Sequence, residues 1–317
     1  MRVRRIRLVK FIVQHLSFAV LMYGGRWGLF LGSSVPCFAC PYVSGCGGHC
    51  YLMGLQGYIG FGIKFSNVLG FEGLRALGYF LLFGVLVTLL GKLWCGFICP
   101  FGLISDWITW IRRRLGISEY NFSEGTIKKL SQVKYVFLAW LIVGPFLINL
   151  GVLHSDFYIP FCQMFCPGKP LLPLFAGETR HLALDVTNFV TILVSACSLV
   201  ATGFFLAGMF FRPRFFCLFC PLLAMIHFFK PLTRFGLSKK VTLCRGCGTC
   251  QRVCTMNISE VYLEKQNPDV QTENCVNCGE CVASCASDNC LSLGTKSQLP
   301  VYFSSSHAST LGKFRKA

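Results

Sequence analysis

Long apolar runs separated by short cationic stretches set the character of this chain. After a start rich in arginine, residues from Phe11 to about Leu31 are almost all apolar. Further runs extend from about Leu74 to Trp94, from Tyr135 to Leu153 with Pro145 inside, and from Val186 to Phe211. Each holds the roughly 20 residues with which an α-helix, rising 1.5 Å per residue, crosses a hydrocarbon core of about 30 Å. Pro145 is the expected kink. The glycine-rich stretch 54–70 is less apolar and reads as re-entrant or interfacial. From Ser238 to about Lys296 the pattern becomes that of a soluble domain, and the remaining tail has the composition of a disordered segment. The first run follows a basic start as a signal peptide does. It is too long for one, no small-residue cleavage site follows, and it leads directly into Pro36-Cys37.

The cations sort these runs by side. Arg2, Arg4, Arg5, Arg7 and Lys10 precede the first run; Arg112, Arg113, Arg114, Lys128, Lys129 and Lys134 follow the second. Arg212, Arg214, Lys230, Arg234, Lys239 and Lys240 follow the fourth, whereas the two intervening loops are poor in Lys and Arg. Four spans with both termini in the cytoplasm satisfy the positive-inside rule. The expected fold is an α-helical membrane protein: a four-transmembrane-helix bundle over 1–236, an α+β bacterial two-cluster ferredoxin domain over 237–296, and a basic tail over 297–317. Of the 317 residues, 54% are apolar and only 14% charged, a surplus that needs lipid as well as a protein core. The net charge of +17 lies at the ends of apolar runs and not along a stripe with stacking aromatics, which excludes nucleic acid as a partner.

The 20 cysteines carry the chemistry. Cys244-x2-Cys247-x2-Cys250-x3-Cys254 and Cys275-x2-Cys278-x2-Cys281-x3-Cys285 are two runs of the bacterial two-cluster spacing, in which the fourth cysteine of each ligates the other cluster. One [4Fe–4S] cluster is assigned to Cys244, Cys247, Cys250 and Cys285, the second to Cys275, Cys278, Cys281 and Cys254. Gly246, Gly248 and Gly279 supply the turns. Zinc, the alternative, has no need of a doubled quartet. Thr255 and Ala286 stand where such motifs usually carry proline; that proline shapes a turn and is not a ligand.

Four more pairs sit at the ends of the apolar runs: Cys37/Cys40-Pro41, Cys95/Cys99-Pro100, Cys162/Cys166-Pro167 and Cys217/Cys220-Pro221. The topology gathers Cys95, Cys99, Cys217 and Cys220 at the inner ends, and Cys37, Cys40, Cys162 and Cys166 at the outer ends. Each half of the chain thus carries one outer and one inner pair. Four thiols per side are what one further iron–sulfur cluster near each membrane face requires; redox-active dithiols, outer disulfides and inert buried cysteines are the alternatives. Cys46-Gly-Gly-His49-Cys50 adds an alternative ligand source for the outer site, a separate metal site or a disulfide. Packing explains Cys197 and Cys290. A quinone site needs a proton-handling side chain near a cluster; His154, Asp156, Asp106 and His227 are the candidates, each with a plain reading as an interfacial polar residue. No Gly-rich nucleotide loop is present.

Four spans, the Trp94-Cys95-Gly-Phe-Ile-Cys99-Pro100-Phe101-Gly102 motif and the terminal ferredoxin quartets together resemble the membrane ferredoxin subunits of the NapH and NosR type, over about residues 1–295. The resemblance implies quinol oxidation coupled to electron delivery, or one-electron relay to a cytochrome or iron–sulfur partner, at the cytoplasmic (inner) membrane in anaerobic respiration. The flavin-bearing outer domain of NosR-type proteins has no counterpart in these residues. Two other functions fit the same cysteines: a relay with no quinone site, and a protein of redox or metal maturation or sensing.

Overall fold

The computed structural model describes residues 2–29, 40, 42–48, 50–62, 71–120, 122–153, 161–287 and 289–295. The membrane part is built from α1 (Arg2–Tyr23), α2 (Tyr51–Gly57), α3 (Phe71–Leu90), α4 (Pro100–Arg114), α5 (Glu124–Asn149), the short α6 (Gly168–Leu171), α7 (Phe189–Phe211) and α8 (Pro221–Phe228). The small C-terminal part holds α9 (Thr249–Arg252), α10 (Glu260–Leu263) and α11 (Glu280–Ala283), closed by β1 (Phe235–Lys239) against β2 (Leu291–Thr295). These strands pair antiparallel with Leu237 opposite Leu293, tying the two ends of the soluble module together.

Three stretches are long and apolar enough to span a bilayer: Ile6–Trp27, Glu124–Asn149 and Phe189–Phe211. The expected second span corresponds to α3, of 20 residues, whose apolar part runs from Leu77 to Leu90. Two expected boundaries are corrected. The first helix ends at Tyr23 and passes into a 3-10 turn stopped by Gly28 at φ +74°, short of the expected Leu31. The third begins at Glu124, not Tyr135, because Ser123 caps it by accepting from the Thr126 N–H. Its first turns carry Lys128, Lys129 and Lys134, so they are helical without being apolar. Pro145 lies inside α5, where it removes the amide that would bond to Leu141.

Exposed apolar side chains recur at helical spacing, as Leu77, Leu81 and Val85 on α3, Val136 and Val143 on α5, and Val200 and Phe204 on α7. Such faces suit lipid. Inside, one apolar core runs from Phe83, Leu141 and Met209 of the long helices through Leu223 of α8 to Val276 and Leu291 of the soluble module. A second joins Phe18, Leu21 and Met22 of α1 to Leu103 and Ile104 of α4. The soluble module is therefore seated on the helices by a shared core and not merely tethered.

Candidate iron–sulfur centres

The two ferredoxin quartets fold alike. Gly248 and Gly279 follow Cys247 and Cys278 at φ +69° and +76°, a left-handed conformation that only glycine adopts without strain. They turn the chain into α9 and α11, which carry Cys250 and Cys281. Cys254 lies within charge–charge range of Cys275 and Cys278, so it crosses from its own quartet to the other. Cys281 faces Cys275, Cys278 and Cys254, and also Cys250, which sets the two foursomes side by side. Ala286 offers its backbone N–H to the Cys247 sulfur, which brings its neighbour Cys285 to the first triad. Buried Cys290, expected only to pack, is hydrogen-bonded to both Cys244 and Cys285. Nothing in the spacing distinguished it, because it lies outside both motifs.

These sites fit clusters better than single ions. Tetrahedral zinc with bonds of 2.3 Å holds its sulfurs about 3.8 Å apart. Among the described residues no three Cys, His, Asp or Glu side chains close on one ion in this way, in the quartets or elsewhere. Burial pushes the Cys254 thiol up to about 12, so a thiolate persists there only when bound to metal.

The two pairs expected at the inner ends of the apolar runs come together in the structure. Cys95 sits in a π-helical turn, Trp94–Ile98, and Cys99 caps α4 with Pro100 at its first position. Cys217 sits in a 3-10 turn, Phe215–Leu218, and Cys220 caps α8 with Pro221 at its first position. The wide turn takes the x3 spacing and the tight turn the x2 spacing. Proline suits the first helical position because its missing N–H would have no partner there. The freed amides of the first turns point at sulfur: Phe101 and Gly102 at Cys99, and Leu223 at Cys220. Cys95, Cys99, Cys217 and Cys220 lie within charge–charge range of one another.

This foursome is joined directly to the second ferredoxin foursome. Gly96 packs so closely on the Val276–Asn277 backbone that a Cβ would stand 2.6 Å from the Asn277 carbonyl oxygen. Lys92, 1% exposed, donates Nζ to the carbonyls of Thr272 and Glu273 at 2.6 and 2.9 Å and lies within range of both Cys275 and Cys95. Fully buried Arg214 donates to the Cys95 carbonyl at 2.8 Å and to Asp106 at 2.9 Å. It lies within range of both Cys217 and Cys278. Sequence reasoning counted Arg214 only as a topology signal, since cations at helix ends are ordinary, and gave Lys92, inside the second apolar run, no role.

Of the cysteines expected on the outer side, the structure brings together Cys40, Cys50, Cys162 and Cys166. Cys37, expected in this set, and His49 lie outside the described residues. Cys46 donates to the Gly48 carbonyl at 3.0 Å and packs against α1, and no described cysteine is in a disulfide. The two foursomes, expected near opposite membrane faces, are neighbours in the structure. Cys166 lies within range of Cys99, and the Phe101 ring meets Gly168 beside the Cys166 sulfur. The physical reason is that Phe161–Phe165 forms a π-helical turn that packs back into the core shared with Cys95 and Phe216.

Of the quinone candidates, His154 and Asp156 lie outside the described residues. Asp106 is engaged: it accepts from Arg214 and from Gln14 Nε2 at 3.1 Å and pairs with Lys10 at 3.1 Å. His227 sits with Nδ1 3.4 Å from Lys92 Nζ. A cavity of about 320 Å³ opens between α6 and α7, with Lys169, Arg180, His181 and Asp185 on its wall.

Comparison with known proteins follows the same division. The 4Fe–4S binding domain family matches twice, over residues 73–118 and 196–240, the stretches that carry Cys95/Cys99 and Cys217/Cys220. The 4Fe–4S dicluster domain family matches residues 243–289. An uncharacterized protein of Methanocaldococcus jannaschii is 28% identical over 207 residues, 64% of this chain and 73% of its own. YccM of Escherichia coli, named for electron transport, is 26% identical over 70% of this chain and 57% of its own length. The ferredoxin-type protein NapH of Escherichia coli is 26% identical over 64% of this chain and 63% of its own. The chain thus matches less than two thirds of the length of YccM and NapH. No solved structure matches. The sequence likeness, the matches to 4Fe–4S domains and the apolar helices agree: the chain is a membrane protein similar to the ferredoxin-type electron-transport proteins, with stretches that match 4Fe–4S-binding domains.

Proposed function

We propose that this protein is the membrane-bound electron-transfer subunit of a quinone-linked redox complex. In it the ferredoxin module exchanges electrons with a third cluster held by Cys95, Cys99, Cys217 and Cys220. The observation that carries this reading is the seam at Gly96, where the Cys275–Cys278 turn rests against the residue next to Cys95. Two electron carriers gain by such direct backbone contact, since orientation and distance are then fixed by packing. Cys244, Cys247, Cys250 and Cys285 hold the outermost cubane, and Cys275, Cys278, Cys281 and Cys254 the one nearer the helices. The clusters supply the one-electron chemistry. The chain's own residues set their surroundings, with Arg214 and Lys92 between the second and third sites and helix-start amides on the sulfurs of Cys99 and Cys220.

In the bilayer, α3 completes four spans, its 20 residues covering about 30 Å. The Lys and Arg bias puts both termini and the ferredoxin module in the cytoplasm of an inner membrane. The domains then fall at 1–236, 237–296 and 297–317. The donor or acceptor is the quinone pool or a cytoplasmic protein, and the far partner is a cytochrome or iron–sulfur enzyme. The cavity beside Lys169 and His181 favours a quinone headgroup over Asp106, whose carboxylate is already committed to two cations and an amide.

Iron and acid-labile sulfide are to be measured in anaerobically purified Cys217→Ala protein, with low-temperature electron paramagnetic resonance. Loss of about four irons per chain with both ferredoxin signals retained is expected. Unchanged iron would overturn the third cluster. Reduction of the clusters by a soluble quinol analogue separates the quinone-linked reading from a relay with no site of its own.

A further inference from the structure

The outer cysteines carry a consequence for metal content. The family matches stop short of all of them, covering 73–118, 196–240 and 243–289. Cys162 comes from the π-helical turn Phe161–Phe165, Cys166 follows that turn, Cys50 directly precedes α2, and Cys40 lies ahead of it. Cys50, Cys162 and Cys166 meet in one core, and Cys40, packed against the neighbouring core, lies within range of Cys166 and Cys50.

The surroundings are those of a sulfur-ligated group. Gln56 is fully buried and directs Nε2 at the Cys162 sulfur, 3.2 Å away, while its Oε1 finds no partner among the described residues. Gln163 Oε1, between Cys162 and Cys166, is likewise buried with no partner among the described residues. Orphaned polar atoms of this kind are costly in a closed core, and they concentrate where a bound group belongs. Gly168 stands against the Cys166 sulfur, where a Cβ would come within 3.2 Å, and the Gly168 carbonyl accepts from Cys40 at 3.5 Å.

We propose that Cys40, Cys50, Cys162 and Cys166 ligate a fourth [4Fe–4S] cluster, with Gln56 donating to one of its thiolate sulfurs. Cys50, from the Cys46-Gly-Gly-His-Cys50 stretch, takes the place that pairwise spacing assigned to Cys37. Each thiol gives up its proton as its iron–sulfur bond forms, and the pre-assembled cluster brings the iron and sulfide. Because Cys166 neighbours Cys99, this site extends the line of carriers beyond the third cluster. The inference rests on the electron-transfer reading above and is tested separately from it.

The test is iron and sulfide per chain in full-length protein in detergent, purified anaerobically, with Cys50→Ala, Cys37→Ala and Cys217→Ala compared. Native protein is expected to hold about sixteen irons, Cys50→Ala about twelve, and Cys37→Ala about sixteen. A native count of about twelve, or no loss on Cys50→Ala, overturns the fourth site even where Cys217→Ala still loses about four. A full loss on Cys37→Ala overturns the ligand set. Native protein also gives a reading that needs no variant to fold. Cys50 and Cys162 are expected to resist alkylation until iron is chelated, and their labelling in iron-loaded protein overturns the proposal.

Discussion

Replacing Gly96 by alanine loads the seam between the soluble module and the helices at one point. The new Cβ would stand 2.6 Å from the Asn277 carbonyl oxygen and 2.7 Å from that of Val276, whereas ordinary contact begins at 3.4 Å. Both obstacles are backbone, so the Cys275–Cys278 turn must retreat by the difference of 3.4 and 2.6 Å, about 0.8 Å. Overpacking of this size costs about 1–3 kcal/mol, against which alanine's better helix propensity returns at most about 1 kcal/mol. A net cost of about 1–2 kcal/mol shifts the balance of docked and undocked modules about 5- to 30-fold. Hydrogen exchange of the amides from Thr272 to Cys278 reads this directly, and those amides should exchange faster by that factor. Gly203→Ala, where the Cβ meets nothing within 4 Å, is the matched control and should leave them unchanged. Equal protection in the Gly96→Ala and native proteins would refute the seam.

Arg214→Gln removes a cation that donates to Cys95 and Asp106. Breaking a buried pair from one side costs about 3–5 kcal/mol, so the variant should lose its clusters at a lower temperature, with Arg214→Lys intermediate; visible absorbance on heating checks it. Lys92→Met takes a positive charge from between Cys275 and Cys95. Both neighbouring clusters should become harder to reduce while the cluster at Cys244 is unmoved, as a redox titration followed by paramagnetic resonance would record. Burial, with Lys92 beside it, pushes His227 down to about 4, against about 6.5 in an unfolded chain. Between those values the unfolded chain binds the proton and the folded protein does not, so stability falls as the pH drops through that window. His227→Gln should flatten this decline in thermal melts at about pH 7 and about pH 5.

The apolar runs foretold α1, α3, α5 and α7 because helices in lipid declare themselves by composition. They misplaced the start of α5, since its opening turns bear Lys128, Lys129 and Lys134 and owe their helicity to a cap and tertiary packing. The doubled ferredoxin quartets stand out in the sequence, because each run is local and its spacing is the bacterial two-cluster pattern. The meeting of Cys50 with Cys162 and Cys166 was left open, with Cys46, His49 and Cys50 offered as ligands of the outer site, a separate metal site or a disulfide. It depends on a turn that folds back into the core after α5, and no local pattern encodes where such a turn lands. Lys92, Gln56 and Arg214 were invisible for a related reason: a buried polar residue and an interfacial one look alike in sequence.

The ion pairs of α1 bear on how the protein is made. Arg7 pairs with Glu280 at 3.1 Å, and Lys10 reaches both Glu280 at 3.4 Å and Asp106 at 3.1 Å. Glu280 lies 273 residues after Arg7, which at 5–20 residues per second is about 14 to 55 s of translation. The basic end of α1 is therefore satisfied in full only once α11 has been made, with Asp106 serving Lys10 in the meantime. Glu280 opens the short helix that follows Cys278, and its position depends on that cysteine turn being formed. A displacement of that turn is therefore felt at the basic end of α1, which loses both of its contacts to Glu280 together.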